Sequence, residues 1–237
     1  MITSYLQPIA LLEMSLTCAV VFIILLQNLS SKEIPFVVRI VMALLLINLF
    51  FWPLGMSLEL PLSAYVRGVT GDLSIVTLLL LWSSILPAAK KTPLGFKVSL
   101  ALIAIAFYPL ALGFGMMDPY AWGYGSIGFL IAAILFAVIC GLAGWTKGVW
   151  ILSLAIIAWA AHWHESANLW DYLLDPFLAI WALFAIPNTI YLKRREKAQS
   201  GYLFRAADSS CIDEIVNFEV TKKPADRWLF YFLLFRN

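Results

Sequence analysis

Apolar residues along this chain occur in seven long runs, separated by short polar segments. A helix needs about 20 apolar residues to cross the hydrocarbon core of a bilayer, within a range of roughly 17–25. The pattern therefore predicts an all-α fold, a polytopic bundle of seven transmembrane helices. The predicted spans are 5–27, 36–57, 73–89, 98–117, 124–144, 147–163 and 173–192.

The fifth and sixth runs are separated only by the short segment 144–148, which begins and ends with glycine. A single helix over 124–163 would be far longer than a bilayer is thick. The segment is therefore predicted to be a tight hairpin between two helices.

Composition supports a membrane protein and excludes other classes. Apolar and aromatic residues make up 62% of the chain and charged residues 13%, against roughly 25% charged residues in a soluble domain. No basic stripe of the kind that binds nucleic acid is present. Cys18, Cys140 and Cys211 lack metal-type spacing. The first 31 residues contain no Lys or Arg, so the first run is expected to be a retained helix rather than a cleaved signal peptide.

Charge placement predicts an orientation. If the seven helices alternate in direction, Arg67 is the only basic residue on one side before the distal tail. Because Lys and Arg are retained in the cytoplasm, we expect an N-out, C-in multi-pass protein of the inner (plasma) membrane. The basic residues on the other side are Lys32, Arg39, Lys90, Lys91, Lys97, Lys147, Lys193, Arg194, Arg195 and Lys197.

The last 45 residues differ in composition from the rest, so we divide the chain into a transmembrane domain, 1–192, and a cytoplasmic tail, 193–237. The tail holds nine of the sixteen basic residues. Its segment 228–235, from Trp228 to Phe235, is almost purely aromatic and aliphatic. That run is too short to cross a bilayer, but it could lie in the interface or dock on a protein partner.

Histidines and acids cluster between the sixth and seventh runs. His162, His164, Glu165 and Asp171 are the candidate catalytic residues, because histidine and carboxylate form both acid–base pairs and metal sites. On a continuing helix, His162 and Glu165 would share one face. The alternative is that these side chains cap helices and lie among lipid headgroups. Asp175 before Pro176 is typical of a helix N-cap followed by proline in the first turn.

A second candidate group would bind a substrate or anion. Arg67 could grip a phosphate or carboxylate, or it could simply pair with Asp72 or another acid. Glu13 lies inside the first predicted helix, where an ionisable group is costly in lipid and needs a partner. We expect it to pair with Arg67 or a histidine. The candidate group comprises Arg67, Asp72, Asp118 and Glu13.

One apparent nucleotide motif is discounted. Residues 123–128 match the G-x-G-x-x-G pattern, but the dinucleotide fingerprint requires a preceding strand within a βαβ unit. Here the glycines precede an apolar run, so we expect them to permit a turn and close helix packing.

Three functions are compatible with these patterns. The leading hypothesis is an accessory or assembly component of a cell-envelope process, acting through its outer loops and tail. The alternative is a membrane-embedded hydrolase or transferase that acts on a lipid-linked or headgroup substrate at the outer leaflet. A small-solute permease is the weakest, because polar groups within the apolar runs are scarce. No particular metal or cofactor is indicated.

Overall fold

Apolar helices form most of the structure, a computed structural model that describes residues 3–30, 33–55, 58–86 and 91–208. Within these ranges there are nine α-helices and one hairpin of two short strands. The helices are α1 Thr3–Leu29, α2 Phe36–Phe51, α3 Leu62–Thr70, α4 Ile75–Trp82, α5 Leu94–Ala111, α6 Ile127–Leu142, α7 Thr146–Ala160, α8 Leu169–Leu173 and α9 Pro176–Asp208. The antiparallel strands are β1 Pro53–Gly55 and β2 Leu58–Pro61.

Three helical segments in the described part of the chain are long and apolar enough to cross a membrane. They are Gln7–Leu29, Leu94–Ala111 and Pro176–Ala198. Four shorter apolar helices accompany them, Phe36–Phe51, Ile75–Ile85, Ile127–Leu142 and Thr146–Ala160. The prediction of a helical protein is therefore confirmed, and three of its helices have the length and composition that membrane-spanning segments require. Each shorter helix corresponds to one of the remaining predicted spans.

Two predicted spans end early in the structure, next to a proline. The span predicted over 36–57 ends as α2 at Phe51, because Pro53 cannot continue the hydrogen bonding of a helix. The span predicted over 73–89 contains α4 and the 3₁₀ turn Ser83–Ile85. Leu86, which precedes a proline, is extended, as is expected of a residue in that position.

The hairpin predicted over 144–148 is confirmed. α6 ends at Leu142 and α7 begins at Thr146, with Gly144 between them at a φ of 75°. The Gly144 and Trp145 amides donate to the carbonyls of Gly141 and Cys140, a pattern that closes the end of a helix. A Cβ on Gly148 would lie 2.0 Å from the Trp145 ring, so glycine is required for this packing.

The helix predicted over 173–192 begins later and ends later in the structure than the sequence pattern indicates. α9 starts at Pro176, with Asp175 accepting a 2.6 Å hydrogen bond from the Leu178 amide; the predicted N-cap is confirmed. The helix continues to Asp208, so the compositional change at 193 does not coincide with a helix end. The segment 228–235, predicted to dock on a partner, lies outside the described residues.

The core is centred on α4, where six of eight residues are buried. α4 contacts α1, α7 and α8, while α5 pairs with α9 and α1 with α2. Lys97 is buried in the α5–α9 interface and donates to Thr189 at 2.9 Å. This arrangement brings the α3–α4 connection, the end of α5 and the start of α9 to the same end of the bundle.

Candidate functional site

A cavity of about 540 Å³ opens at that end of the bundle, and we call it the polar cavity. Its wall comes from the α3–α4 connection, α5, the 3₁₀ turn Tyr120–Gly123, and the segment 164–176. The ionisable groups in its wall include Asp72, His164, Asp171 and Asp175. The volume lies within the roughly 300–1,000 Å³ of small-molecule sites.

His164 is paired with the carboxylate of Glu13, from α1. Nε2 of His164 lies 3.4 Å from one Glu13 oxygen, and the Trp163 indole N–H donates to the other oxygen at 2.6 Å. The His164 side chain is 6% exposed and that of Glu13 15%. A carboxylate in this position orients an imidazole. The expected pairing of Glu13 with a histidine is confirmed.

The other surroundings of His164 hold its ring in place. The ring stacks on Tyr172 with centroids 5.0 Å apart, and the His164 amide donates to the Tyr172 hydroxyl at 3.0 Å. That hydroxyl in turn lies 3.0 Å from the Ser166 carbonyl, to which it can donate. Burial raises the pKa of Tyr172, so the phenol remains protonated. The imidazole is therefore fixed between a buried ring and a carboxylate.

The preceding turn explains why His162 is not part of this arrangement. α7 ends at Ala160, and His162 has a φ of 50°. Its amide and that of Trp163 donate to the carbonyls of Trp159 and Ala158, which closes the helix through a left-handed residue. His162 is exposed and does not line the polar cavity. Because the helix does not continue, the condition under which His162 and Glu165 would share a helical face is not met.

Asp171 is held by two hydroxyl groups. The Ser166 hydroxyl donates to it at 2.5 Å and the Tyr120 hydroxyl at 3.0 Å. Burial, followed by hydrogen bonding to Tyr124 and the charge of Asp171, raises the pKa of Tyr120. The phenol consequently remains a hydrogen-bond donor. The carboxylate has about four acceptor positions, so it can accept further donors from a ligand.

Arg67 is engaged by two acids. Its guanidinium donates to both oxygens of Asp72, at 2.5 and 2.9 Å, and lies 3.5 Å from Glu165. The hydrogen bond to Asp72 is the main cause that raises the pKa of Arg67. In turn it lowers the pKa of Asp72, to which the nearby His164 also contributes. The alternative in which Arg67 pairs with Asp72 is therefore confirmed.

Asp118 lies apart from the other candidates. It is exposed, and its carboxylate accepts a 3.0 Å hydrogen bond from the Tyr120 amide. Asp118 contributes to the loop rather than to the cavity wall. Of the eight candidate residues, five line the polar cavity or are paired with a residue in its wall: Glu13, Arg67, Asp72, His164 and Asp171. Glu165 contacts only Arg67, which lies outside the wall.

Several residues that shape the polar cavity are not among the candidates predicted from the sequence. Asn168 is fully buried; it accepts from the Trp170 amide and donates to the Tyr120 carbonyl, both at 2.9 Å. A Cβ on Gly123 would lie 1.6 Å from the Asn168 side-chain oxygen. Gly123 thus permits a close approach to Asn168, and Gly125 has a φ of 103° in the turn before α6. Tyr120, Ser166 and Asn168 carry no charge at neutral pH, so a search for charged and histidine side chains did not select them.

Among the described residues, no group of three or more His, Cys, Asp or Glu is arranged to hold a metal ion. Comparison with known proteins gives no further guide, since no family model, curated protein or solved structure matches the chain.

Proposed function

We propose that all seven apolar helices cross the inner membrane, with the amino terminus outside. The helices of 15 or 16 residues are about 22–24 Å long at about 1.5 Å per residue. These lengths are smaller than the hydrocarbon thickness of about 30 Å. Flanking residues and local thinning of the bilayer can accommodate the difference. The shortest of the seven, α4, has six of its eight residues buried within the protein, so most of its backbone is shielded from lipid.

Reporter fusions test this topology. We expect a periplasm-active reporter to function when fused after Glu59 or Asp118, and to be inactive after Lys147. Activity after Lys147 would overturn the seven-span arrangement. Under the proposed orientation the polar cavity faces outward, at the level of the outer headgroups.

We infer that the protein is a membrane-embedded hydrolase or transferase that uses acid–base chemistry on a lipid-linked or headgroup substrate at the outer leaflet. The observation that carries this inference is the Glu13–His164 pair at the wall of the polar cavity. An imidazole in a cleft, oriented by a carboxylate, is the usual arrangement for proton transfer near neutral pH.

Each residue has a defined part in this proposal. The His164 imidazole takes a proton from a water or hydroxyl nucleophile and returns it to the leaving group. Glu13 stabilises the imidazolium that exists between these steps. Asp171, held by Ser166 and Tyr120, orients the substrate through its unused acceptor positions. Because Arg67 is already paired with Asp72, it shapes the rim of the site instead of gripping an anion.

Lipid turnover tests the proposal. The purified full chain would be reconstituted in vesicles made from the total lipid extract of its host, and the lipids followed by mass spectrometry. We expect one lipid to be converted by the wild type, and the rate to fall about 10²–10⁴-fold in His164→Gln. The matched control is His162→Asn, which tolerates the positive φ and should retain the rate. Equal turnover by both variants would overturn the catalytic role.

An accessory or assembly component is the second proposed function. It is favoured by the observation that the carboxylates around the cavity already have protein partners. Asp175 accepts from the Ser74 and Leu178 amides, and Asp72 from Arg67. Here the polar network only fixes the loops that a partner recognises. Deletion of 228–237 should then abolish co-purification of a partner, while His164→Gln leaves the complex intact.

A further inference from the structure

A second cavity, of about 420 Å³, lies between α1, α4 and α9, and we call it the apolar cavity. Its wall includes Cys18, Val21, Leu81 and Trp181. Among the described residues, no charged side chain lines it. The cavity is large enough to hold a small ligand or part of a larger one.

The three threonines in this wall do not make it polar. The Thr17 hydroxyl accepts from the Trp82 indole, and the Thr70 hydroxyl lies 3.0 Å from the Val66 carbonyl. The Thr77 hydroxyl pairs with Ser74 at 2.9 Å. With these hydroxyls already engaged, the cavity fits hydrocarbon better than water or a polar solute.

At two places in the chain, one residue lines the polar cavity and the next residue lines the apolar cavity. Asp72 lines the polar cavity and Leu73 the apolar one. Pro176 and Phe177 are divided in the same way. Since adjacent Cα atoms are about 3.8 Å apart, the cavities share a thin wall made from the starts of α4 and α9.

α1 links the two cavities at a third place. Met14 lines the apolar cavity, and the preceding residue, Glu13, pairs with His164 of the polar cavity. The two spaces are therefore close enough for one ligand to extend over the shared wall, with its polar head in one space and its apolar chain in the other. The arrangement matches the way a lipid changes from headgroup to hydrocarbon with depth.

Charge selects the class of headgroup. Asp72, Asp171 and Asp175 line the polar cavity with His164, while Arg67 lies outside its wall and is paired. The side chains of Tyr108, Tyr120 and Trp170 also line it. Because Asp171 keeps unused acceptor positions, these carboxylates favour a cation that carries N–H donors.

We infer that the two cavities bind one outer-leaflet phospholipid, with an acyl chain in the apolar cavity and a primary ammonium headgroup in the polar cavity. The inference rests on the proposed function, because it names the substrate class of the same site. It concerns binding and does not depend on turnover.

Photolabelling tests it in the His164→Gln background, where chemistry is disabled. The probe is phosphatidylethanolamine with a diazirine on its acyl chain, in phosphatidylcholine vesicles that contain the full-length protein. We expect labelled peptides from α1 and α9 around the apolar cavity. A phosphatidylglycerol probe with the same chain should label these positions several-fold less. Equal labelling by both probes would identify ordinary surrounding lipid and overturn the inference.

A bulky side chain inside the apolar cavity can be compared with the same side chain at an exposed position of α1. Cys18→Trp should reduce labelling roughly tenfold, because an inserted ring overfills the space. Leu12→Trp, on the 50% exposed Leu12 of the same helix, should leave labelling unchanged. Val21→Phe serves as a smaller filling change if Cys18→Trp does not fold. Unchanged labelling in a folded filling variant would overturn the inference.

Comparison with turnover separates the two proposals. Headgroup-selective labelling without any turnover by the wild type would support the lipid site and reject the enzyme. Turnover of a host lipid without labelling of the apolar cavity would support the enzyme and reject the lipid site.

Discussion

The carboxylate of Glu13 lies 3.4 Å from Nε2 of His164, and this contact joins α1 to the connection between α7 and α8. Both side chains are largely buried. An acid on a membrane helix is costly unless it has a partner, which explains why Glu13 is tolerated there. The contact therefore stabilises the loop and orients the candidate catalytic imidazole.

Replacing Glu13 tests how much this contact stabilises the fold. Glu13→Leu leaves the Trp163 indole and the His164 ring without their acceptor, and should cost about 1–3 kcal/mol of unfolding free energy. Glu13→Gln keeps an acceptor oxygen for Trp163, so its loss should be smaller. Thermal unfolding in detergent measures both. Equal melting temperatures for wild type and Glu13→Leu would show that the contact does not stabilise the fold.

The glycines of segment 123–128 have different structural requirements. Gly123→Ala would place a Cβ 1.6 Å from the Asn168 oxygen, so Asn168 must move and lose its hydrogen bonds. We expect a loss of about 1–3 kcal/mol. Gly128 lies within α6, where an added Cβ would be 3.8 Å from the Ser126 hydroxyl oxygen, so Gly128→Ala should be neutral or slightly stabilising. Similar unfolding temperatures for the two variants would contradict this packing.

Local features of the fold were predictable from the sequence. The α6–α7 hairpin followed from two glycines and from the limit that bilayer thickness sets on helix length. The N-cap at Asp175 followed from the proline after it. These features depend on a few neighbouring residues, so local sequence is sufficient to specify them.

Features that depend on distant contacts were not predictable. The α3 helix and the β1–β2 hairpin lie in a region interpreted as the end of a span and a loop. His162 adopts a positive φ, which is uncommon for residues other than glycine, so the end of α7 was missed. His162 and His164 were equivalent in the sequence, and only the fold places His164 against Glu13.

Asp175 links the starts of two helices. Its carboxylate accepts from the Leu178 amide in α9 and from the Ser74 amide before α4. Asp175→Ala removes a cap and leaves buried donors unpaired, at a cost of about 2–4 kcal/mol. Asp118→Ala removes an exposed loop contact and should cost about 0.5 kcal/mol or less. Denaturant titration of both variants tests the difference, and equal costs would contradict the role of Asp175.

The Arg67–Asp72 pair predicts a dependence of stability on pH. Hydrogen bonding to Arg67 lowers the pKa of Asp72 below its ordinary value, so the folded state favours the ionised carboxylate. The resulting stability is fully present above the unfolded pKa of about 3.9 and is lost as pH falls through the lower folded pKa. Asp72→Asn should therefore destabilise the protein near neutral pH, by less than about 1 kcal/mol because the pair is partly exposed.

The difference in melting temperature between wild type and Asp72→Asn should shrink as pH falls below the unfolded pKa of about 3.9 and through the lower folded pKa of Asp72. Glu59→Gln, at an exposed position on β2, is the control for a general loss of negative charge and should show no such convergence. A difference between wild type and Asp72→Asn that stays constant from neutral to acid pH would mean that ionisation of Asp72 does not stabilise the fold. Arg67 would then hold the α3–α4 connection through its packing and its contact with Glu165 instead.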